Sequence, residues 1–197
     1  MQITLNFLPT LVFVIVMICW FVFAGTFLLR KKPPSPPDRK REPGSLFGVA
    51  LQGVAYGIVW GVRRPMFTPI VSSNPLALAA SVLAICAAVG SIWLVIAAVN
   101  TLGKEWSLTA RLVEGHKLAT SGAYAYVRHP IYTGMLGMLI ATGLAVSHWL
   151  ALLVALAVFF VGTRIRILRE EKLLREAFGA DFEEYERRVP AIVPGLY

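Results

Sequence analysis

The chain has 197 residues, of which 57% are hydrophobic and only 15% charged, and its mean hydropathy is +0.67. A soluble domain is about 45–50% apolar and about 25% charged, so this composition excludes a disordered chain, a secreted disulfide scaffold and a water-soluble nucleic-acid binder. The net charge of +8 then reports membrane orientation and contact with anionic lipid headgroups, with no nucleic acid implied. Cys19 and Cys86 both sit inside apolar runs, where a thiol behaves as a small hydrophobe and implies no disulfide framework. The reading is an all-α integral membrane protein.

Five apolar stretches are candidate spans, giving about five transmembrane helices. Phe7 to Leu29 carries no charge and ends in Arg30-Lys31-Lys32, a stop-transfer flank rather than a cleaved signal. Leu46 to Val62 is shorter and contains Gln52. Leu76 to Val99 is long enough to cross a ~30 Å hydrocarbon core with some tilt. Ile131 to Val146 and Trp149 to about Ile165 are joined only by Ser147-His148, which predicts a tight antiparallel helical hairpin.

With the N-terminus outside, all 19 basic residues except Arg63 and Arg64, and every acidic residue, fall on the inner side, as the positive-inside rule requires. Residues 1–100 then hold helices one to three with a basic, Pro-rich cytoplasmic loop (30–45), whose Pro33-Pro34-Ser35-Pro36-Pro37 run is a stiff spacer near anionic headgroups. Gly53, Gly57 and Gly61 on the second helix, and Ala80, Ala84 and Ala88 on the third, recur every four residues. Such small residues permit close helix packing, within the chain or in a homodimer.

Polar residues gather in two places. Thr101 to Tyr132 is too polar to span and too rich in Trp106, Leu108, Leu112, Tyr124 and Tyr126 to be a free linker, so it should fold against the inner membrane surface. Gly115 and Gly122 permit turns with positive φ, and Pro130 suits the first turn of the fourth helix, leaving His129 at the helix start. In the second stretch, Arg164 to Tyr185, Arg166 and Glu170 share one helix face. Spacing alone leaves two readings of that pair: an exposed ion pair, or a site with a cation for an anionic group and a carboxylate opposite.

The run Gly115-His116-Lys117-Leu118, Gly122-x-Tyr124 and Arg128-His129-Pro130-x-Tyr132-x-Gly134 resembles the isoprenylcysteine carboxyl methyltransferases, and their phospholipid methyltransferase relatives share the Arg-His-Pro-x-Tyr core. Arg166, Glu170-Glu171, Phe178-Gly179, Tyr185 and Val189-Pro190 are similar to that family in order and spacing. The likeness covers about Leu102 to Pro194 and implies a methyltransferase core in residues 101–197, with a cytoplasmic cofactor-binding segment and a C-terminal cytoplasmic helix. It implies S-adenosyl-L-methionine as cofactor, contacted by Thr109, His116, Lys117, Leu118, Ala119, Tyr124, His129, Pro130, Ile131, Tyr132 and Glu170. It further implies that Arg166 faces the acceptor, that Arg166 and Glu170 form the catalytic pair, and that a lipophilic methyl acceptor arrives from the bilayer.

The residue chemistry agrees with carboxyl O-methylation of an isoprenylcysteine-like or other lipidic carboxylate. A carboxylate acceptor needs no base, only a planar, permanently charged donor such as Arg166 to hold one oxygen. Amine N-methylation, as in the phospholipid methyltransferases, would need His129 or Glu170 as base. A membrane sterol-type reductase and a lipid-binding scaffold are the remaining alternatives. No metal-ligand spacing is present.

Overall fold

The computed structural model describes residues 7–29, 38–65, 67–70, 74–103, 106–107, 110–113, 115 and 117–193. Six α-helices form in the described residues: α1 (Phe7–Leu28), α2 (Ser45–Gly61), α3 (Asn74–Leu102), α4 (Pro130–Val146), α5 (Trp149–Phe178) and α6 (Ala180–Arg188). The first five coincide with the five apolar stretches. Of these, α1, α3 and α5 are long and apolar enough to cross a membrane; α2 and α4 have 17 residues each.

Two features depart from the all-α expectation. The end of the basic loop, β1 (Asp38–Glu42), pairs antiparallel with β2 (Ala110–Val113). The cause lies in β2, where Ala110 and Leu112 alternate inward to bury against Leu173 of α5. Glu42 then meets Arg169 and Lys172 at 3.5 and 3.4 Å, tying the loop to α5. The expected single continuation of the fifth helix also breaks. Gly179 takes φ = 50°, a left-handed conformation that costs a glycine little, and α6 starts after it.

Helix packing is set by glycines at two crossings. Where α2 crosses α5, a Cβ on Gly162 would stand 2.7 Å from the Gly48 carbonyl oxygen and 2.9 Å from Leu51 Cβ. Where α3 crosses α4, a Cβ on Gly134 would stand 2.5 Å from Val95 Cγ2. Ala84 and Ala88 are buried in the core shared by α1, α3 and α4, but Gly53, Gly57 and Gly61 have nothing within 4 Å of a Cβ. Among the described residues those three glycines have no packing neighbour for a side chain, because α2 buries its Gly48, Gln52, Ala55 and Val59 side instead. α1 and α2 meet through Trp20, whose ring lies 5.3 Å from Tyr56 and 6.2 Å from Trp60.

Both ends of α4 are fastened. At its C-terminal end the Arg64 guanidinium donates to the carbonyls of Leu144, Ala145 and Ser147 at 2.6–2.7 Å, satisfying acceptors that a helix terminus leaves open. Burial lowers the Arg64 pKa to about 10. At the N-terminal end, Pro130 occupies the first turn as expected. The backbone N–H groups of Arg128 and His129 donate to the carbonyls of Pro190 and Ala191 at 2.8 and 2.9 Å, so the segment after α6 straps the start of α4.

Gly162→Ala should destabilise the protein by about 1–3 kcal/mol, since the added methyl meets backbone rather than a movable side chain. Gly57→Ala, in open space, should be neutral or slightly stabilising. Thermal unfolding of the two variants in detergent checks this contrast.

Candidate functional site

A cavity of ≈ 570 Å³ lies where α1, α2, α4, α5 and the β1–β2 region converge. Its size is typical of small-molecule sites, which run about 300–1,000 Å³. Phe23 and Phe27 of α1, Val49 of α2, Met135 of α4 and Leu102 and Trp106 make an apolar wall. The opposite wall is charged, with Arg111, Arg128, His129, Arg166 and Glu170. Gly53 of α2 lines the cavity and is exposed, with nothing among the described residues within 4 Å of an added Cβ.

The charged wall is built by the start of α4 against the polar third of α5. Glu170 and Glu171 are consecutive, and both are drawn inward because α4 and the C-terminal segment pack on neighbouring sides of α5. Glu171 is 6% exposed and accepts from Arg128 Nε at 2.9 Å and lies 3.1 Å from His129 Nε2. Glu170 lies 3.4 Å from His129 Nδ1 and 3.8 Å from Arg166 Nη2, and accepts from the Tyr132 hydroxyl. Tyr132 stacks on the His129 ring at 5.5 Å between centroids, and the Arg166 guanidinium carbon sits 4.6 Å from the Tyr132 ring centre. Arg166 is only 4% exposed. An exposed ion pair with Glu170 is therefore not what this structure contains, because a surface pair would leave both partners solvated.

Burial opposes protonation of His129, but the hydrogen-bonded carboxylates of Glu170 and Glu171 outweigh it and raise the pKa above 6.5. With a carboxylate at each ring nitrogen, the imidazolium is the favoured form. Burial, reinforced by the charge on Glu170, raises the Tyr124 hydroxyl well above the tyrosine range, so Tyr124 presents a neutral ring to the cavity.

Of the expected site residues, Leu118, Ala119, Tyr124, His129, Ile131, Tyr132, Arg166 and Glu170 line this cavity. Pro130 is buried in the first turn of α4, where it shapes the wall without lining it. Lys117 is exposed and lies off the cavity wall. Thr109 and His116 lie outside the described residues. Gly115 and Gly122 take φ of 69° and 61°, the turns their sequence context predicts. Sequence reasoning missed four contributors: Arg111, Arg128, Glu171 and Gln52. The signal for Gln52 was present, since a polar side chain inside an apolar helix marks a functional-site candidate. Arg111 carried none, because only the pairing of β2 aims it at the cavity.

The isoprenylcysteine carboxyl methyltransferase (ICMT) family matches residues 68–176, more than half of the chain and most of the charged wall. The chain belongs to this family. It is 33% identical over 99 residues to protein-S-isoprenylcysteine O-methyltransferase B of Arabidopsis thaliana, covering 49% of this chain and 50% of that protein. It is 35% identical over 79 residues to the protein-S-isoprenylcysteine O-methyltransferase of Schizosaccharomyces pombe, covering 40% and 34%. It is also 35% identical over 86 residues to methanethiol S-methyltransferase 2 of Bradyrhizobium diazoefficiens, covering 43% and 32%. The chain spans about half or less of the length of these relatives. The family is one of methyl transfer, which displaces the reductase alternative.

Because the folded pKa of His129 lies above its ordinary value of 6.5, the stabilisation it contributes is fully present below about pH 6.5. It is lost as pH rises through the higher folded value. The melting temperature in detergent should therefore fall across that window, and His129→Gln should flatten this part of the profile. A wild-type profile unchanged by the substitution would contradict the assignment of the imidazolium.

Proposed function

We propose that this protein is a membrane methyltransferase that esterifies the carboxylate of a lipophilic acceptor, with S-adenosyl-L-methionine as donor. The observation that carries the reading is the buried Arg166 guanidinium, held beside Tyr132 and Glu170 in a cavity that is charged on one wall and apolar on the other. An amphiphilic carboxylate matches both walls.

The residues fit the cofactor. Tyr124 offers a neutral aromatic face, Glu170 a carboxylate for a cationic or hydroxylated group, and Leu118, Ala119 and Ile131 apolar contact. His129 and Tyr132 hold Glu170 in place. Thr109, His116, Lys117 and Pro130 remain candidate contacts by resemblance alone. When bound, the cofactor would supply an activated sulfonium methyl group for transfer to the acceptor oxygen, with the neutral thioether as leaving group.

The protein's task is then alignment. Arg166 presents a planar set of N–H donors that holds one acceptor oxygen and leaves the other to react. Holding both reactants in line supplies most of the acceleration available to an already activated donor. No proton moves, which suits this wall: both nitrogens of His129 face carboxylates, and Glu170 is engaged by Tyr132, His129 and Arg166. An amine acceptor would require one of them to act as base. The acceptor's chain lies along Phe23, Phe27 and Met135, and it enters from the bilayer past the exposed Gly53.

The spans are read as five, with α4 and α5 forming a hairpin across the bilayer, the N-terminus outside and the C-terminus cytoplasmic beside anionic headgroups. Ser35 and Ser73, outside the described residues, serve as reporters. With Cys19 and Cys86 changed to Ala, an impermeant thiol reagent on intact cells should label Ser73→Cys and spare Ser35→Cys. The reverse pattern would overturn this topology.

The deciding assay is radiolabelled methyl transfer to a prenyl thioether carboxylate in detergent. Arg166→Ala should lower kcat/KM for the acceptor by about tenfold to a hundredfold, the size of a lost hydrogen bond to a charged group. Arg166→Lys should recover little of it, because an ammonium lacks the fork. Glu170→Gln should mainly weaken cofactor binding. A wild-type protein that methylates amines but no carboxylate would overturn the reading.

A further inference from the structure

We propose that Gln52 is a positioning residue for the acceptor site: its side-chain amide, oriented by Thr163, fixes the rotation of the Arg166 guanidinium. The inference rests on the reading of Arg166 as the acceptor-binding cation. Gln52 is 1% exposed, lies in the apolar helix α2 and lines the cavity. Its Nε2 donates to Thr163 Oγ1 at 2.8 Å, and its Oε1 accepts from Arg166 Nη1 at 3.0 Å. Thr163 and Arg166 are three residues apart and share a face of α5, so one amide spans both.

The amide can sit only this way round. A guanidinium has donors and no acceptor, so a flipped Gln52 would set its NH₂ against N–H groups. Thr163, whose hydroxyl both gives and takes a proton, accommodates the nitrogen end. The orientation is therefore dictated by Arg166 and maintained by Thr163.

Gln52 is not required to join the two helices, since Gly48 and Gly162 already set that crossing one turn away from Gln52 and Arg166 respectively. A polar side chain buried inside an apolar helix is unfavourable unless satisfied, and its partners here are a neighbouring hydroxyl and the cation of the site. Arg166 is thus gripped from three directions. Gln52 takes Nη1, Glu170 stands beside Nη2, and the Tyr132 ring lies against the plane. Glu170 and Tyr132 belong to the charged wall and move with it. Among the contacts of the described residues, Gln52 ties the guanidinium to α2, the helix that carries Val49 and Gly53 on the acceptor's side of the cavity.

The test is a double-mutant cycle on the purified full-length chain, using Gln52→Met, which keeps length and apolar volume, with and without Arg166→Ala. Two readouts are taken: methyl transfer to the prenyl thioether carboxylate, and calorimetric binding of that same compound, which needs no turnover. Gln52→Met should raise the acceptor KM and weaken its binding by about tenfold, the loss of a hydrogen bond to a charged partner, while cofactor affinity stays within about twofold. In the Arg166→Ala background the same change should have no further effect. Thr163→Val should reproduce a smaller shift of the same kind, and Gln52→Glu should raise the acceptor KM further, because it sets a competing anion on Arg166. Losses that add in the cycle, or cofactor and acceptor affinities that fall together, overturn the positioning role. A wild type that binds the carboxylate without methylating it overturns the proposed function and leaves the relay to the binding cycle. A wild type that does not bind it overturns both.

Discussion

Two adjacent carboxylates on one helix, the half-buried Glu170 and the buried Glu171, are the constraint from which the inner half of this structure follows. Removing a carboxylate from water costs several kcal/mol unless it is paired and hydrogen-bonded. Here the compensation comes from Arg128, His129 and Arg166, with the Tyr132 hydroxyl added. Arg128 and His129 can reach α5 only if α4 begins immediately after them. Pro130 enforces that start, and the Pro190 and Ala191 carbonyls take up the two N–H groups exposed by it. Tyr185, which donates to the Tyr124 carbonyl at 2.6 Å, extends the same fastening to the aromatic turn. Strap, helix start and carboxylate pair therefore form one unit, and each is unsatisfied without the others.

That unit divides the labour between the two glutamates. Glu171 is enclosed and spends its acceptors on Arg128 and His129. Its neighbour faces the cavity with a partly exposed side chain. A structural carboxylate thus stands behind an accessible one, with His129 bridging them. A carboxylate at each ring nitrogen fixes the orientation of the His129 ring and favours its protonated form.

The helices and the charged wall differ in how far the sequence announced them. Five apolar stretches are readable from hydropathy, and each forms a helix, the fifth running on to Phe178 beyond its expected end near Ile165. The Arg166–Glu170 spacing was readable because a helix places the two residues one turn apart, and the Arg-His-Pro-x-Tyr run through its resemblance to a known family. Glu171 was hidden by adjacency, since consecutive helix residues do not face one another and only the packing of two elements around α5 buries both. The β1–β2 pair was hidden for a related reason. Its strands are separated by two helices, and the alternation in Ala110 to Val113 is too short to be distinguished from a turn-rich surface segment. Long-range pairing, not local propensity, placed Arg111 at the cavity.

The walls of the cavity come from elements with different mechanical ties. The charged wall belongs to α4, α5 and the C-terminal strap, joined by buried ion pairs and backbone hydrogen bonds. Much of the apolar wall belongs to α1 and α2, which meet through rings at Trp20, Tyr56 and Trp60. Ring contacts adapt to a range of separations more readily than hydrogen-bonded ion pairs do. The second of these helices is also held against α5 by the Gly48–Gly162 crossing and the Gln52 hydrogen bonds, so it shares the fixed geometry of the charged wall. Among the described residues, polar contacts to Arg166 and Glu170 thus come from α2, α5 and the start of α4, and α1 lends the lining Phe23, Phe27 and Leu28.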